Sequence, residues 1–212
     1  MAAVHDIKCL SQPINMQRRT MLASLNCDGR MGATLLGCLA IPWALYAGGP
    51  HWTEALRYQR AAIGQGEWWR LVTAHWVHLG ARHLAFDSAG LLLLWALYAR
   101  ALRPRHWLLV LLCATAAIDA GLWWGEPQLQ WYVGLSGLLH GAWAAGALAV
   151  ALRRDRLGWL MLAILAFKLS LEQRAGASLL LGAMPVVTAA HAYGALGGLT
   201  AVAALALARK PL

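Results

Sequence analysis

The stretch Gln128–Leu152, QLQWYVGLSGLLHGAWAAGALAVAL, runs for 25 residues without a formally charged side chain. The hydrocarbon core of a bilayer is crossed by about 20 predominantly apolar residues in a helix, so this segment reads as a membrane span. It also carries a serine between glycines, Gly134-Leu135-Ser136-Gly137, with His140-Gly141 just beyond. Polar side chains at membrane depth are expensive, and function is the default reason for keeping them. Two questions follow: what other spans surround this one, and what faces Ser136.

Working outward, Met31–Pro50 is an uncharged run, His83–Ala99 contains one acid, Asp87, and His106–Gly125 contains one acid, Asp119. Leu157–Arg174 is a weaker span, interrupted near its far end by Lys168 and Glu172. The stretch Ala175–Ala208 is too long for one helix. It divides at Met184-Pro185, because proline suits a helix start, leaving a sixth span near Val186–Ala208. The expected fold class is an all-α membrane protein, a six-transmembrane-helix bundle over residues 31–208, with tails at 1–30 and 209–212.

Composition agrees. Charged residues make up 13% of the chain, against about 25% in soluble domains. Twelve Trp against two Phe suit a protein whose indoles sit at the bilayer interface. The net charge of +9 does not mark a nucleic-acid face, which requires a basic stripe with interleaved aromatics along one element. Instead the charges cluster between apolar runs. Lys8, Arg18, Arg19, Arg30, Arg100, Arg103, Arg105, Arg153, Arg154, Arg156, Arg209 and Lys210, twelve of the 18 basic residues, fall on one side of the expected topology. The positive-inside rule then places both termini in the cytoplasm and the 3–4 loop, with Ser136 close behind it, on the outer side. Cys9, Cys27, Cys38 and Cys113 lack metal or redox spacing and read as free thiols. The first 30 residues show no signal-peptide pattern and read as a cytoplasmic tail.

Three stretches place polar groups among apolar ones. Ser136 at a helix N-terminus has free backbone N–H groups and the positive end of the helix beside it, which can stabilise an oxyanion; His140 shares its face. Taken alone, Gly and Ser here also fit simple close packing of helices. In span six, His191, Gly194 and Gly198 share a face, and the glycines form a small-xxx-small stripe. Gly137, Gly141 and Ala145 make a matching stripe in span four. Two such stripes in contact would bring His191 to Ser136 as the base a hydroxyl nucleophile needs; a lone membrane histidine equally serves as a helix–helix hydrogen bond. In span two, His83 and Asp87 share a face, with His78 pointing elsewhere, and form a donor pair for an oxyanion or a structural network.

With these residues in place, the chain resembles the rhomboid family of intramembrane serine proteases. Trp69-Arg70 is similar to the family's Trp-Arg pair. His78, His83 and Asp87 fall on its His-x4-His-x3-Asn pattern, Gly134–Gly137 on Gly-x-Ser-Gly, and His191, Gly194 and Gly198 on Ala-His-x2-Gly-x3-Gly. The motifs run in order from about Gly66 to Ala208. A finer resemblance is to the rhombosortase branch, through Gly66-Glu67-Trp68-Trp69-Arg70, Trp131-Tyr132-Val133 and His140-Gly141. His140 stands where the family commonly has a tyrosine beneath the catalytic imidazole.

The resemblance implies a Ser–His dyad of Ser136 and His191, oxyanion stabilisation by His83 and Asp87, and supporting roles for Gly134, Gly137, His140, Gly194, Gly198 and Arg70, with no cofactor and no metal. It implies substrates within membrane lipid that end in a Gly-Gly motif, a hydrophobic span and a basic tail. It also implies a bacterial-type inner membrane, with the active site opening to the extracytoplasmic side. Asp87 stands where the family has Asn; a protonated acid would donate to an oxyanion, whereas a carboxylate would repel it. An Arg82 partner for Asp87 is sterically open. No third carboxylate is evident to orient His191, and a helix end or Lys168 is the expected partner of Asp119. Two rival classes are a metal or haem protein using His75, His78, His83, His140 and His191, and an inactive relative that only binds membrane clients.

Overall fold

In apolar surroundings a backbone must satisfy its own N–H and C=O groups, and long apolar runs therefore become helices. The computed structural model describes residues 25–175 and 186–208. The Met184-Pro185 boundary, Cys9 and most of both expected tails lie outside them. Helix α1 covers Gly29–Ala47 and turns by 112° at Gly48-Gly49 into α2, Pro50–Leu56. The connection to the next long helix contains β1, Tyr58–Gln59, and the short helices α3, Arg60–Gly64, and α4, Arg70–Thr73. A 3-10 turn at Ala74–Trp76 follows. Then come α5, Ala81–Tyr98, and α6, Pro104–Ala120, which runs into a π turn at Gly121–Gly125. Next are β2, Trp131–Tyr132, and α7, Ser136–Ala151; α8, Arg156–Ala175, and α9, Thr188–Ala208, complete the order.

Long helices thus fall on the apolar runs, with one correction. The fourth run is helical only from Ser136, not from Gln128. Residues 131–132 instead pair antiparallel with the first connection, Tyr58 opposite Tyr132 and Gln59 opposite Trp131. Gly134 then takes φ +118°, a region closed to side chains with a Cβ, and the chain can enter α7 only after that turn. Tyr58 and Tyr132 are fully buried and tie the connection to the entry of α7.

Arg60 fixes the same region. Its guanidinium donates to the carbonyls of Leu122 (2.6 Å), Trp123 (3.0 Å), Glu126 (2.8 Å) and Leu129 (3.0 Å). Helix C-termini leave carbonyls without intrahelical partners, and here one cation satisfies several beyond α6. Burial pushes the neighbouring Tyr58 phenol above its usual range, against the opposing field of Arg60.

The distribution of polarity is inverted relative to a water-soluble protein. Arg70, His75, His78, His83, Asp87, His140, Glu172 and His191 are buried, while Leu36, Leu93, Leu108, Leu112, Trp159, Phe167 and Leu196 stand exposed. Large exposed apolar surface requires an apolar partner, and lipid is the partner that suits helices. By length and apolar composition, Pro104–Gly125 and Thr188–Ala208 are each able to cross a membrane among the described residues, and α1 and α2 are so only when taken together as one bent unit. Helix α7 is apolar but only 16 residues long, and the buried charged residues lie on α5 (Asp87), α8 (Glu172) and the short α4 (Arg70).

Candidate active site

The site is assembled where the first turn of α7 meets α9 and the far end of α8. Close approach of α7 and α9 depends on glycine. A Cβ on Gly194 would strike the Gly137 carbonyl, and one on Gly198 would strike the Gly141 carbonyl. Gly141 would in turn meet the Gly194 carbonyl at 2.8 Å. The two small-residue stripes therefore face each other, and Ala144, Ala145, Ala190 and Ala195 continue the tight contact as buried residues. Backbones this close bring side chains on neighbouring positions within hydrogen-bond reach.

Ser136 Oγ lies 2.9 Å from His191 Nε2. The opposite nitrogen, His191 Nδ1, lies 2.9 Å from Glu172 Oε2 on α8. Glu172 is fully buried, and its other oxygen, Oε1, accepts from Lys168 Nζ at 2.6 Å. The same ammonium is 2.8 Å from His140 Nε2, and His140 Nδ1 is 2.7 Å from the carbonyl oxygen of Ser136. The contacts form a circuit that leaves Ser136 from its hydroxyl and returns to its backbone. The His140 and His191 rings stack at 4.0 Å with 11° between planes, so His140 forms the floor beneath the imidazole.

On the other side of Ser136, α5 supplies His83 and Asp87. Asp87 Oδ2 accepts from the Leu135 N–H at 3.0 Å and lies 3.0 Å from His78 Nε2. A Cβ on Gly134 would lie 2.8 Å from His83 Nε2 and 3.7 Å from Asp87 Oδ2, so both groups flank the loop just before the serine. Among the described residues neither His83 ring nitrogen has a hydrogen-bond partner; Nε2 is 3.5 Å from Asp87 Oδ2. Among the described residues no side chain caps the N-terminus of α7, which leaves its first-turn N–H groups to serve an anion.

Several expectations are corrected. His78 does not point away from Asp87: it precedes α5, in the segment between the 3-10 turn and Ala81, so helical spacing does not govern it. The Arg82 guanidinium lies over the Phe86 ring at 5.8 Å. Asp119 lies 3.5 Å from His75 Nε2, whereas Lys168 pairs with Glu172 and His140. Arg70 is apart from the serine; it binds Glu67 (2.6 Å) and the carbonyls of Glu54 and Arg57 (both 2.9 Å), bracing the first connection. Cys27, Cys38 and Cys113 are free thiols, as expected.

Glu172 is the site residue that sequence reasoning missed. The buried positions of α8 among the described side chains are Gly158, Leu165 and Glu172, each seven residues apart, a stripe that only the packing of α8 reveals. A carboxylate at the next step of a heptad stripe belongs to the helix's inner face.

The histidines form separate groups: His75 with Asp119, His78 and His83 with Asp87, and His140 and His191 with Glu172. The last three residues have ligand atoms within 4.8 Å of one another, the one such set among the described residues. A divalent cation there would have to displace the Lys168 ammonium from both His140 and Glu172. The donor set fits a proton-transfer network better than a metal centre.

Comparison with known proteins is consistent with this geometry. The family described as Rhomboid domain matches residues 65–208. A Bacillus subtilis (strain 168) protein named "Putative rhomboid protease YdcA" is 27% identical over 128 residues, 58% of this chain. The match spans 64% of that relative's length.

Proposed function

The chain belongs to the rhomboid family, and from that premise we propose that it is an intramembrane serine endopeptidase with Ser136 as nucleophile and His191 as general base. The observation that carries the reading is the 2.9 Å contact between Ser136 Oγ and His191 Nε2, at membrane depth where an idle polar pair is costly. In the first step Ser136 Oγ attacks the scissile carbonyl carbon and its proton passes to His191 Nε2. The tetrahedral oxyanion is met by the first-turn N–H groups of α7 and by His83, whose buried nitrogens have no competing hydrogen bond among the described residues. Asp87 contributes by holding the Leu135 N–H and hence the loop before the serine. Collapse of the intermediate expels the amine, which takes the proton from His191, and leaves a Ser136 ester. Water or an amine nucleophile then attacks that ester, again losing its proton to His191, and the proton returns to Ser136 Oγ.

The finer assignment is to rhombosortase. It is supported by Gly66-Glu67-Trp68-Trp69-Arg70, by Trp131-Tyr132-Val133, and by His140 standing beneath His191. The proposed substrates are secreted proteins with a C-terminal Gly-Gly motif, a hydrophobic span and a basic tail, cut near the Gly-Gly. The proposed setting is a bacterial-type inner membrane, with a six-span bundle, both termini cytoplasmic and the site opening outward. The test is purified protein in proteoliposomes with a Gly-Gly-tailed client and, separately, an unrelated transmembrane substrate. Expected are labelling of Ser136 by a serine-reactive phosphonate and a new client C-terminus, read by mass, near the Gly-Gly. Ser136→Ala should abolish both while unfolding at the temperature of the unmutated protein. Cleavage of the unrelated substrate alone would remove the branch assignment; full cleavage by Ser136→Ala would remove the protease reading.

A further inference from the structure

A buried carboxylate touches the far side of the proposed base, and the protons around it can be assigned from donor and acceptor chemistry alone. An ammonium can only donate. Lys168 Nζ, 2.8 Å from His140 Nε2, therefore meets a lone pair there, and His140 carries its proton on Nδ1. That proton is donated to the Ser136 carbonyl oxygen, which only accepts, at 2.7 Å. Glu172 Oε1 accepts from Lys168, and Oε2 faces His191 Nδ1 at 2.9 Å. A carboxylate only accepts, so His191 carries its proton on Nδ1 and presents a lone pair on Nε2. The Nε2 lone pair is what Ser136 Oγ needs to donate into at 2.9 Å. Every contact in the circuit is satisfied by one arrangement of protons; reversing the His191 tautomer sets two lone pairs against each other at Glu172 and turns Ser136 Oγ from donor to acceptor.

We propose that Glu172 is a positioning residue for His191, making the site a Ser136–His191–Glu172 triad in which Lys168 orients the carboxylate. The inference rests on the protease reading above. Glu172 holds the imidazole in the tautomer that accepts the serine proton, and its charge stabilises the imidazolium formed when that proton arrives. All the catalytic proton transfers pass through Nε2, and the Nδ1 proton remains between His191 and Glu172 throughout. Lys168, one helical turn before Glu172 on α8, gives the carboxylate a partner on its own helix; a buried charge left without one is strongly destabilising. It also leaves only Oε2 to face the imidazole, so the direction of the hydrogen bond is fixed from both ends.

The experiment compares the full chain in proteoliposomes with Glu172→Gln and Glu172→Asp, by client cleavage and by phosphonate labelling of Ser136. Glutamine has the same shape but can turn its NH2 toward His191, favouring the Nε2–H tautomer that cannot take the serine proton. The expected result for E172Q is a fall in kcat on the order of 10²–10⁴-fold, with KM within about twofold of the unmutated value. Aspartate keeps the charge at shorter reach, so E172D should recover part of that loss. Unmutated kcat in E172Q, or a loss confined to KM, overturns the proposal. A second measurement does not depend on either variant folding. Nitrogen-15 histidine spectra of the unmutated protein, with His191 assigned by comparison with His191→Gln, should show Nδ1 protonated and Nε2 bare. A dominant Nε2–H form overturns the proposal. If the unmutated protein neither cleaves the client nor labels at Ser136, the protease reading fails instead, and the spectra still decide the tautomer.

Discussion

At Gly134 the backbone takes φ +118° with the His83 ring in the space a side chain would need. The residue therefore answers two demands at once, one conformational and one steric. Gly134→Ala should cost at least about 1–2 kcal/mol from the backbone alone and push His83 off the loop. The expected outcome is a lower unfolding temperature together with slower phosphonate labelling of Ser136; an unchanged labelling rate would separate His83 from the site. Ser136, His140 and His191 were legible in the sequence because each is a rare polar residue inside an otherwise apolar run. Glu172 was not, since it sits near Lys168, Gln173 and Arg174, where polarity reads as the end of a span. Its burial depends on which face of α8 meets α7 and α9, and that is a packing fact. The partner of Asp119 was obscure for the same reason, because His75 reaches it from a 3-10 turn in a separate connection.

Among the elements, α7 and α9 depend on backbone contact that only glycine permits. Gly194→Ala and Gly198→Ala place a methyl group against the carbonyls of Gly137 and Gly141 respectively. Both should lower the unfolding midpoint by several degrees, as overpacking by a methylene costs about 1–3 kcal/mol. Gly194→Ala should also slow labelling of Ser136, because the carbonyl it strikes belongs to the residue after the nucleophile. Gly37→Ala in α1 meets nothing within 4 Å and should leave the midpoint unchanged or slightly higher, since alanine is the better helix former by about 1 kcal/mol. A thiol-reactive dye reporting on the free cysteines during heating would rank the three. The long helices were legible as runs of apolar residues, and their boundaries moved by only a few residues. The start of α7 was the exception. The pairing of Tyr58–Gln59 with Trp131–Tyr132 joins segments about seventy residues apart, and two-residue strands carry no alternation from which a pairing could be read.

For the whole molecule, the buried set is rich in ionisable groups and the exposed set in large aliphatic and aromatic ones. That inversion fits a chain solvated by lipid, and the orientation we propose from the grouping of basic residues puts both termini in the cytoplasm. Alkaline phosphatase fused after Leu212 is expected to be inactive, and the same reporter inserted at Pro127 active. The opposite pattern would invert the topology and put Ser136 on the cytoplasmic side. The Lys168–Glu172 pair bears on how such a molecule is made. A lone Lys or Asp at the centre of a helix raises the apparent cost of inserting it by about 2.5–3.5 kcal/mol. Spaced four residues apart, at 2.6 Å, these two charges neutralise one another on a single helix. Helix α8 can therefore leave the ribosome and enter the bilayer with its ion pair already formed, before α9 has been synthesised. His191, which lies later in the chain on α9, then meets a carboxylate whose other oxygen is already paired on its own helix.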